Sequence, residues 1–257
     1  VRARPVDDEG TWTAVDSGAA DSGAVDDDAR LHAANLAALQ VVLARAGGWP
    51  YERGDGWVAA DACAQTRFFS FCVLTEPRVL PCDPRPTVYE GRTGPNGWLV
   101  MDLWGRPAAG EVRSPVLMRR EPGPVEADPR VLLARTPDGL RDAEQALAAG
   151  LEAPGLEGVL APGLLDERVA VAYDRALQAV ALAFDDGASI GVYLVGTATA
   201  ARGRGLGAAV TAASLAALPP RPALLTATTM GRPVYERLGF AAVGRATMVL
   251  HDRPTTR

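Results

Sequence analysis

Apolar residues recur at helical spacing early in the chain and at strand spacing after it. Within 30–46 the apolar positions follow a helical period, which predicts a helix that Asp28 caps and Gly47 ends. Short runs of strand-like pattern follow, separated by connections rich in Pro and Gly. These runs are 57–60, 68–74 and 98–104.

From Arg130 onward, strand and helix patterns alternate regularly. The predicted strands are 131–134, 169–173, 177–184, 189–197, 223–228, 240–243 and 247–250. The predicted helices are 137–151, one opened by 202–207 and running to about 218, and 231–238. Strands interleaved with helices predict an α/β fold whose sheet is mixed and mostly antiparallel, flanked by helices.

Composition shifts divide the chain into four predicted parts. Residues 1–29 are rich in Asp, Gly, Ala and Ser and predict a flexible acidic tail. Residues 30–120 predict a smaller α+β N-terminal domain. Pro and charged residues fill 121–129, which predicts a linker. Residues 130–257 predict the second domain.

Charge argues against a nucleic-acid partner. The 257 residues carry 26 basic and 31 acidic side chains, a net charge of −5. Residues 1–29 account for −6 of this, so the remainder is nearly neutral at +1 and has no basic stripe. Every basic residue is Arg, which excludes a phosphate-binding P-loop and lysine Schiff-base chemistry.

Cysteine and histidine placement predicts no metal site. Cys63, Cys72 and Cys82 form no C-x-x-C pair, and His32 and His251 lie at opposite ends of the sequence. Buried thiols explain the cysteines better. No uncharged apolar run reaches the ~18 residues of a membrane span, and no signal-sequence pattern opens the chain. We therefore expect a soluble, cytoplasmic protein without a membrane partner.

The sharpest motif follows the predicted strand 189–197. The segment Thr197-Ala-Thr-Ala-Ala-Arg-Gly-Arg-Gly-Leu-Gly207 ends a strand, forms a glycine-rich loop and opens a helix of small residues. Helix N-terminal amides and glycines that permit close backbone approach suit a pyrophosphate. On this motif alone, a glycine-rich turn with two solvated arginines fits as well.

Two other motifs fit poorly. A dinucleotide-binding turn requires an acidic residue about 20 positions further on, and 224–228 contains none. The G-x-S-x-G pattern around Ser189 matches a hydrolase elbow, but a turn precedes Ser189 and a strand follows it, the reverse of what that elbow requires.

A second stretch, Pro233-Val-Tyr-Glu-Arg-Leu-Gly-Phe240, predicts a short helix and the start of a strand. A tyrosine on such a helix can direct its hydroxyl into a cleft beside the strand ends. Tyr235 is equally compatible with a core aromatic whose hydroxyl reaches the surface.

Together, the two stretches resemble the acyl-CoA-binding core of the GNAT superfamily of N-acetyltransferases. Arg202-Gly-Arg-Gly-Leu-Gly207 fits the R/Q-x-x-G-x-G/A loop of that family without a departure, and 233–240 resembles its closing helix and strand. The resemblance covers about residues 130–250. The N-terminal part is similar to the degenerate first half of two-part bacterial members.

The resemblance implies an acetyltransferase that uses acetyl-CoA as acyl donor. It places the CoA pyrophosphate on the glycine-rich loop, the pantetheine arm along the end of the preceding strand, and a general acid at Tyr235. The implied cofactor-binding residues are Val195, Gly196, Thr197, Arg202, Gly203, Arg204, Gly205, Leu206, Gly207 and Ala208.

The acceptor side is less constrained by the sequence. Candidates for contact with the acceptor are Glu152, Tyr193 and Ser189, and candidates for a general base are Asp185, Asp186, Glu152 and Glu157. Trp98, Met101 and Trp104 are candidates for a cleft wall, although a core role is more common for such residues.

We expect a small-molecule amine as acceptor and a monomer or homodimer as the assembly. Two alternatives remain open: an acyl-CoA-binding sensor or assembly protein without turnover, and an acyltransferase that uses a longer acyl-CoA.

Overall fold

The computed structural model describes residues 22–62, 69–81, 84, 86–89, 98–108, 111–153, 155–166 and 168–251. These residues form four α-helices and thirteen strands in two sheets. The helices are α1 (Ser22–Gly47), α2 (Pro137–Leu151), α3 (Leu206–Ala216) and α4 (Arg232–Arg237).

The first sheet has the strand order β1-β2-β3-β4-β13-β5. Its strands are antiparallel except for the parallel pair β3 and β4. The strands are β1 (Tyr51–Gly54), β2 (Trp57–Asp61), β3 (Ser70–Leu74), β4 (Trp98–Asp102), β5 (Glu111–Arg113) and β13 (Thr247–His251).

The second sheet has the order β12-β6-β11-β10-β9-β8-β7, and its one parallel pair is β10 and β11. Its strands are β6 (Val116–Arg120), β7 (Val131–Leu133), β8 (Val169–Asp174), β9 (Ala179–Asp185), β10 (Ile190–Thr197), β11 (Ala223–Ala227) and β12 (Ala241–Arg245). The predicted mixed, mostly antiparallel α/β class is confirmed.

Two strands cross between the predicted domains. β6 belongs by sequence to 30–120, but it pairs with β11 and β12 in the second sheet. β13 belongs to 130–257, but it pairs with β4 and β5 in the first sheet. The predicted boundary at 121–129 therefore does not separate the two sheets, and the domain division itself stays a prediction.

The first helix begins before the predicted start. Residues 22–29 form its opening turns rather than the end of the predicted acidic tail, while 1–21 lie outside the described residues. Asp28 is not its N-cap. The Asp28 side chain is buried, and its carboxylate forms an ion pair with the Arg119 guanidinium on β6. Ala29 is also buried. Tertiary packing therefore extends the helix into a stretch whose composition indicates a tail.

Helix α1 packs against both sheets. Leu39 and Leu43 belong to an apolar cluster with α2, β8 and β9. Ala33 and Val41 belong to a second cluster with Val73 and other residues of the first sheet. The two sheets are therefore joined through one helix as well as through their exchanged strands.

Helix α2 has the predicted bounds because its ends carry strong local signals. Thr136 is the N-cap, and its Oγ1 accepts a hydrogen bond from the Gly139 amide at 3.1 Å. Pro137 occupies the first turn, where no amide hydrogen is needed. Glu152 ends the helix in the left-handed conformation, at φ 51°.

Within the described residues, Cys72 is a buried thiol whose pKa is raised by burial, and no group of three His, Cys, Asp or Glu side chains is placed to hold a metal. Cys63 and Cys82 lie outside these residues. Among the described helices, none has both the length and the apolar character that crossing a bilayer requires.

Candidate functional site

Strands β10 and β11 run side by side at one end and separate at the other. They pair only at Ile190 with Ala223 and at Gly191 with Leu224. β10 then continues to Thr197 without pairing to β11, and it stays bonded to β9 on its other side. The separation leaves backbone groups of β10 facing a cleft instead of a neighbouring strand.

A bulge bends β10 at this point. The register with β9 shifts between Tyr193 and Gly196, and Leu194 has a positive φ of 52°. Gly196 packs directly on α2, since a Cβ built on Gly150 would lie 2.7 Å from the Gly196 carbonyl carbon. Two glycines therefore let α2 and the bulged strand touch through their backbones.

The glycine-rich loop ends at the N-terminus of α3. Gly203 and Gly205 both have φ of 76°, which only glycine adopts without strain, and Gly205 is the N-cap. The amides of its first turn have no intrahelical partner, and no side chain caps them. Such a helix end carries partial positive charge and suits an anion.

Arginines surround this helix end. The Arg202 Nε donates to the Thr197 carbonyl at 3.2 Å, which holds the loop against the end of β10. Arg204 instead turns toward Gln178, with 3.2 Å between its Nη1 and the Gln178 Oε1. Arg130 donates to the Arg204 carbonyl at 3.3 Å and pairs with Asp128.

Tyr235 faces the cleft from the opposite side, on α4. The short helix begins with Pro233 in its first turn and ends at Leu238, and Phe240 packs edge-on to the tyrosine ring with 6.1 Å between ring centroids. The side chain is buried, and burial raises the pKa of its phenol to about 12. The hydroxyl is therefore protonated at neutral pH.

One cleft of about 740 Å³ joins these elements. Nine of the ten predicted cofactor-binding residues line it, and so does Tyr235. The exception is Arg204, which points to Gln178 as described above. The two motifs, far apart in sequence, thus meet across one space of the size that small-molecule sites have.

The predicted acceptor contacts are not brought together. Ser189 lies at the far end of β10 and is fully buried, where its Oγ accepts from the Asn35 amide at 3.1 Å. Tyr193 does line the cleft, but its hydroxyl donates to the Asn35 Oδ1 at 2.7 Å. Glu152 is exposed at the end of α2 and accepts a hydrogen bond from the Thr199 hydroxyl.

The four candidates for a general base all lie outside the cleft lining. Asp185 pairs with Arg221 at 2.8 Å, and Asp186 accepts the Ala188 and Ser189 amides of the β9–β10 turn. Glu157 is exposed. Both aspartates therefore stabilise a turn, which is the solvated or structural role that such side chains usually have.

Comparison with solved structures shows what the arrangement resembles. A GCN5-related N-acetyltransferase from Kribbella flavida matches with a TM-score of 0.58 and 19% identity, over 87% of this chain and 97% of that one. A protein from Novosphingobium aromaticivorans assigned to the GNAT family of acetyltransferases matches with a TM-score of 0.52 and 18% identity, over 78% and 91%. The chain has the GNAT fold. No protein-family model and no curated protein matches its sequence.

The GNAT fold of this chain has an apolar cleft wall that sequence reasoning largely missed. Leu36, Leu39 and Leu43 of α1 line it, as do Phe71, Leu99, Met101 and Met248 of the first sheet and Phe69, which directly precedes β3. Of the three candidates for a wall, only Met101 lines the cleft. Trp98 points to the other face and stacks on His251 with 4.4 Å between centroids, and Trp104 lies under the Arg106 guanidinium. Side chains alternate between the two faces of a strand, so Leu99 and Met101 share one face of β4 and Trp98 lies on the other. This alternation is the sequence signal from which the wall could have been predicted.

Proposed function

We propose that the protein transfers an acetyl group from acetyl-CoA directly to a primary amine of a small molecule. The observation that carries the proposal is the single cleft. It joins the unpaired edge of β10, the uncapped N-terminus of α3 and Tyr235.

The residues at the loop fit the donor. The amides of Leu206, Gly207 and Ala208 and the side chain of Arg202 would hold the pyrophosphate. The backbone of Val195 to Thr197 would pair with the two amide groups of the pantetheine arm, as an added strand would. Arg204 would add charge beside the loop rather than a contact inside the cleft.

The chemistry needs one acid and one neutral nucleophile. The amine nitrogen bonds to the acyl carbon, the carbon–sulfur bond breaks with its electron pair on sulfur, nitrogen loses a proton and sulfur gains one. Tyr235 would donate that proton, because its raised pKa of about 12 keeps the phenol protonated at physiological pH. A backbone amide of the bulged strand would stabilise charge on the acyl oxygen.

Calorimetric titration with acetyl-CoA tests the proposal, with NAD as the control ligand. We expect micromolar binding of acetyl-CoA, no response to NAD, and thiol release on addition of an accepted amine. Binding without any thiol release would indicate a sensor instead of an enzyme, and absence of binding would contradict the cofactor site.

The Arg202→Ala variant tests where the phosphates bind. Loss of one or two charge-assisted bonds should raise the apparent Kd for acetyl-CoA about tenfold. The matched control is Arg141→Ala, since Arg141 is exposed on α2, pairs with Asp138 and does not line the cleft. Equal affinity of the two variants for acetyl-CoA would contradict binding of the phosphates at the glycine-rich loop.

A further inference from the structure

The cleft also includes an apolar region formed by the N-terminal part of the chain. Three leucines of α1 supply one wall: Leu36, Leu39 and Leu43 recur at helical spacing and are all buried. Their spacing places them on one face of the helix. The same helix packs against both sheets, so this wall is fixed relative to the cofactor strand.

One face of the first sheet supplies further apolar lining beside these leucines. Phe71 lies beside Leu99 in the parallel pair of β3 and β4, and Met101 lies opposite Met248 in the pair of β4 and β13. The alternate residues Cys72, Val100 and Val249 form a separate cluster on the other face. These lining side chains therefore occupy one face of the sheet, since they follow its period of two. Phe71 of this face and Phe69, which directly precedes β3, are aromatic.

The charged side chains that line the cleft are all basic. Among the described residues these are Arg113, Arg202 and Arg237, and no carboxylate or imidazole of the described chain lines it. Arg202 is assigned to the pyrophosphate, and the rest of the lining offers a protonated amine no carboxylate to replace its lost hydration, which disfavours the ammonium form. A neutral amine does not meet this penalty.

We propose that the acceptor is an amine that is neutral in water and attached to an aromatic body, that is, an aromatic amine. The apolar walls bind the ring, the two phenylalanines offer it edge and face contacts, and the amine already carries the lone pair that attacks the acyl carbon. This inference rests on the proposed transferase function and names its substrate class.

The proton balance of the transfer agrees with this substrate. A neutral amine needs no base before it attacks, and it releases one proton only as the nitrogen–carbon bond forms. Sulfur gains one proton as the carbon–sulfur bond breaks. Tyr235 can donate to sulfur and recover a proton from nitrogen, so the step needs no carboxylate in the cleft.

Aniline and cyclohexylamine form a matched pair for the test. Both are six-membered rings of similar size with one amino group, but only cyclohexylamine is protonated at about pH 7.5. Spermidine serves as a polycationic third acceptor. We expect kcat/KM for aniline to exceed that for cyclohexylamine about tenfold or more, and spermidine to give no acyl transfer above background.

A carboxylate placed on the apolar wall of the cleft should shift the preference from aniline toward cyclohexylamine. Met101 is half-buried and lines the cleft, so Met101→Glu puts a carboxylate beside the acceptor, and Met101→Gln is its neutral isostere. Relative to the Gln variant, the Glu variant should raise the ratio of kcat/KM for cyclohexylamine to that for aniline about tenfold. Melting curves and the acetyl-CoA Kd check the fold of both. If Met101→Glu fails to fold, Met248→Glu and Met248→Gln repeat the comparison from the neighbouring strand.

The outcomes separate this inference from the function on which it rests. A higher kcat/KM for cyclohexylamine or spermidine than for aniline overturns the inference and leaves the transferase intact. Binding of acetyl-CoA with no transfer to any of the three amines overturns both. A higher kcat/KM for octanoyl-CoA than for acetyl-CoA, with aniline as acceptor, overturns the assignment of the apolar region to the acceptor.

Discussion

At the scale of single residues, Tyr235 makes the sharpest prediction. Tyr235→Phe should lower kcat about 100-fold, because it removes the proposed proton donor, and should leave the Kd for acetyl-CoA unchanged. Burial places the pKa of the phenol near 12, so deprotonation of this group should cause no loss of kcat between about pH 6 and 10. Steady-state kinetics over that range check both statements.

A loss of kcat with an apparent pKa near 9 that disappears in Tyr235→Phe would contradict the buried, protonated state. Equal kcat in the wild type and the variant would contradict the acid role and leave Tyr235 as a core aromatic packed on Phe240.

A second prediction at this scale concerns the glycine contact under the bulge. Gly150→Ala should destabilise the fold by about 1–3 kcal/mol, because its Cβ would lie 2.7 Å from the Gly196 carbonyl carbon, in backbone that has no flexible end to move away. Chemical denaturation measures the change in the free energy of unfolding.

Gly123→Ala is the matched control for that substitution. The added Cβ would meet only the Nη2 of Arg120, at 3.6 Å, which is an ordinary van der Waals contact. We expect a change within about 0.5 kcal/mol. If the two variants have the same free energy of unfolding, the backbones of α2 and β10 do not approach each other closely at Gly150 and Gly196.

At the scale of elements, sequence pattern succeeds where local signals are complete. Helix α2 has the predicted bounds 137–151, because its N-cap, its first-turn proline and its amphipathic face agree. Helix α1 was predicted eight residues late, since its first turns are stabilised by the ion pair of Asp28 with Arg119, a contact with a residue far along the chain. β1, β5 and β6 were not predicted, and neither was the exchange of β6 and β13, because strand partners follow from long-range pairing.

The candidate site divides in the same way. The loop residues were found because glycine conformation and helix start leave a local pattern, and nine of ten line the cleft. The apolar wall was not found, because leucines of α1 and alternating residues of β3 and β4 have the same pattern when they form an ordinary core. Only the packing of α1 against both sheets distinguishes side chains that line the cleft from side chains of an ordinary core.

The link between α1 and the cofactor strand makes a prediction at this scale. The Tyr193 hydroxyl donates to the Asn35 Oδ1 at 2.7 Å, and the Asn35 amide group donates to the Ser189 carbonyl at 3.0 Å, so one asparagine holds β10 and the residue directly before it. Gly191 leaves the room for this bond, because a side chain there would collide with both partners. Tyr193→Phe should lower the free energy of unfolding by about 1–2 kcal/mol, since it leaves the buried Asn35 Oδ1 without the hydroxyl that donates to it.

Tyr51→Phe is the control for Tyr193→Phe. The Tyr51 hydroxyl accepts only from the Arg45 guanidinium at 3.3 Å, at the surface. Its removal should change the free energy of unfolding by less than about 0.5 kcal/mol. Denaturation curves of the two variants, measured together, give the difference, and equal effects would mean that the buried bond contributes nothing to stability.

At the scale of the whole molecule, the two sheets form one connected structure. Each sheet contains a strand from the other part of the sequence, and α1 contributes apolar side chains to both cores. The cleft lies where these parts meet: the cofactor side comes from the second sheet, and the apolar wall comes from α1 and the first sheet. A change that loosens α1 should therefore also move a wall of the cleft, so the proposed activity and the global stability should depend on the same packing.

His32 makes global stability depend on pH. It is buried on α1 near the Tyr193 ring, its Nδ1 has no hydrogen-bond partner, and burial lowers its pKa to about 3. The unfolded chain binds a proton at this histidine below its ordinary pKa of about 6.5, whereas the folded chain does not. Stability contributed by the neutral imidazole is therefore complete above about pH 6.5 and is lost as the pH falls toward 3.

His32→Phe removes this dependence and keeps an aromatic ring at the position. Between about pH 7.5 and 5 the linkage at His32 should cost the wild type about 2 kcal/mol, which corresponds to about 4–8 °C in Tm for a chain of this size. Carboxylates titrate in the same range in both proteins, so the difference between the two Tm-versus-pH curves isolates the histidine. Between these two pH values, the fall in Tm of His32→Phe should be smaller than that of the wild type by about 4–8 °C. Parallel curves would mean that His32 is protonated in the folded state or reaches water, in either case contrary to its position between α1 and the cofactor strand.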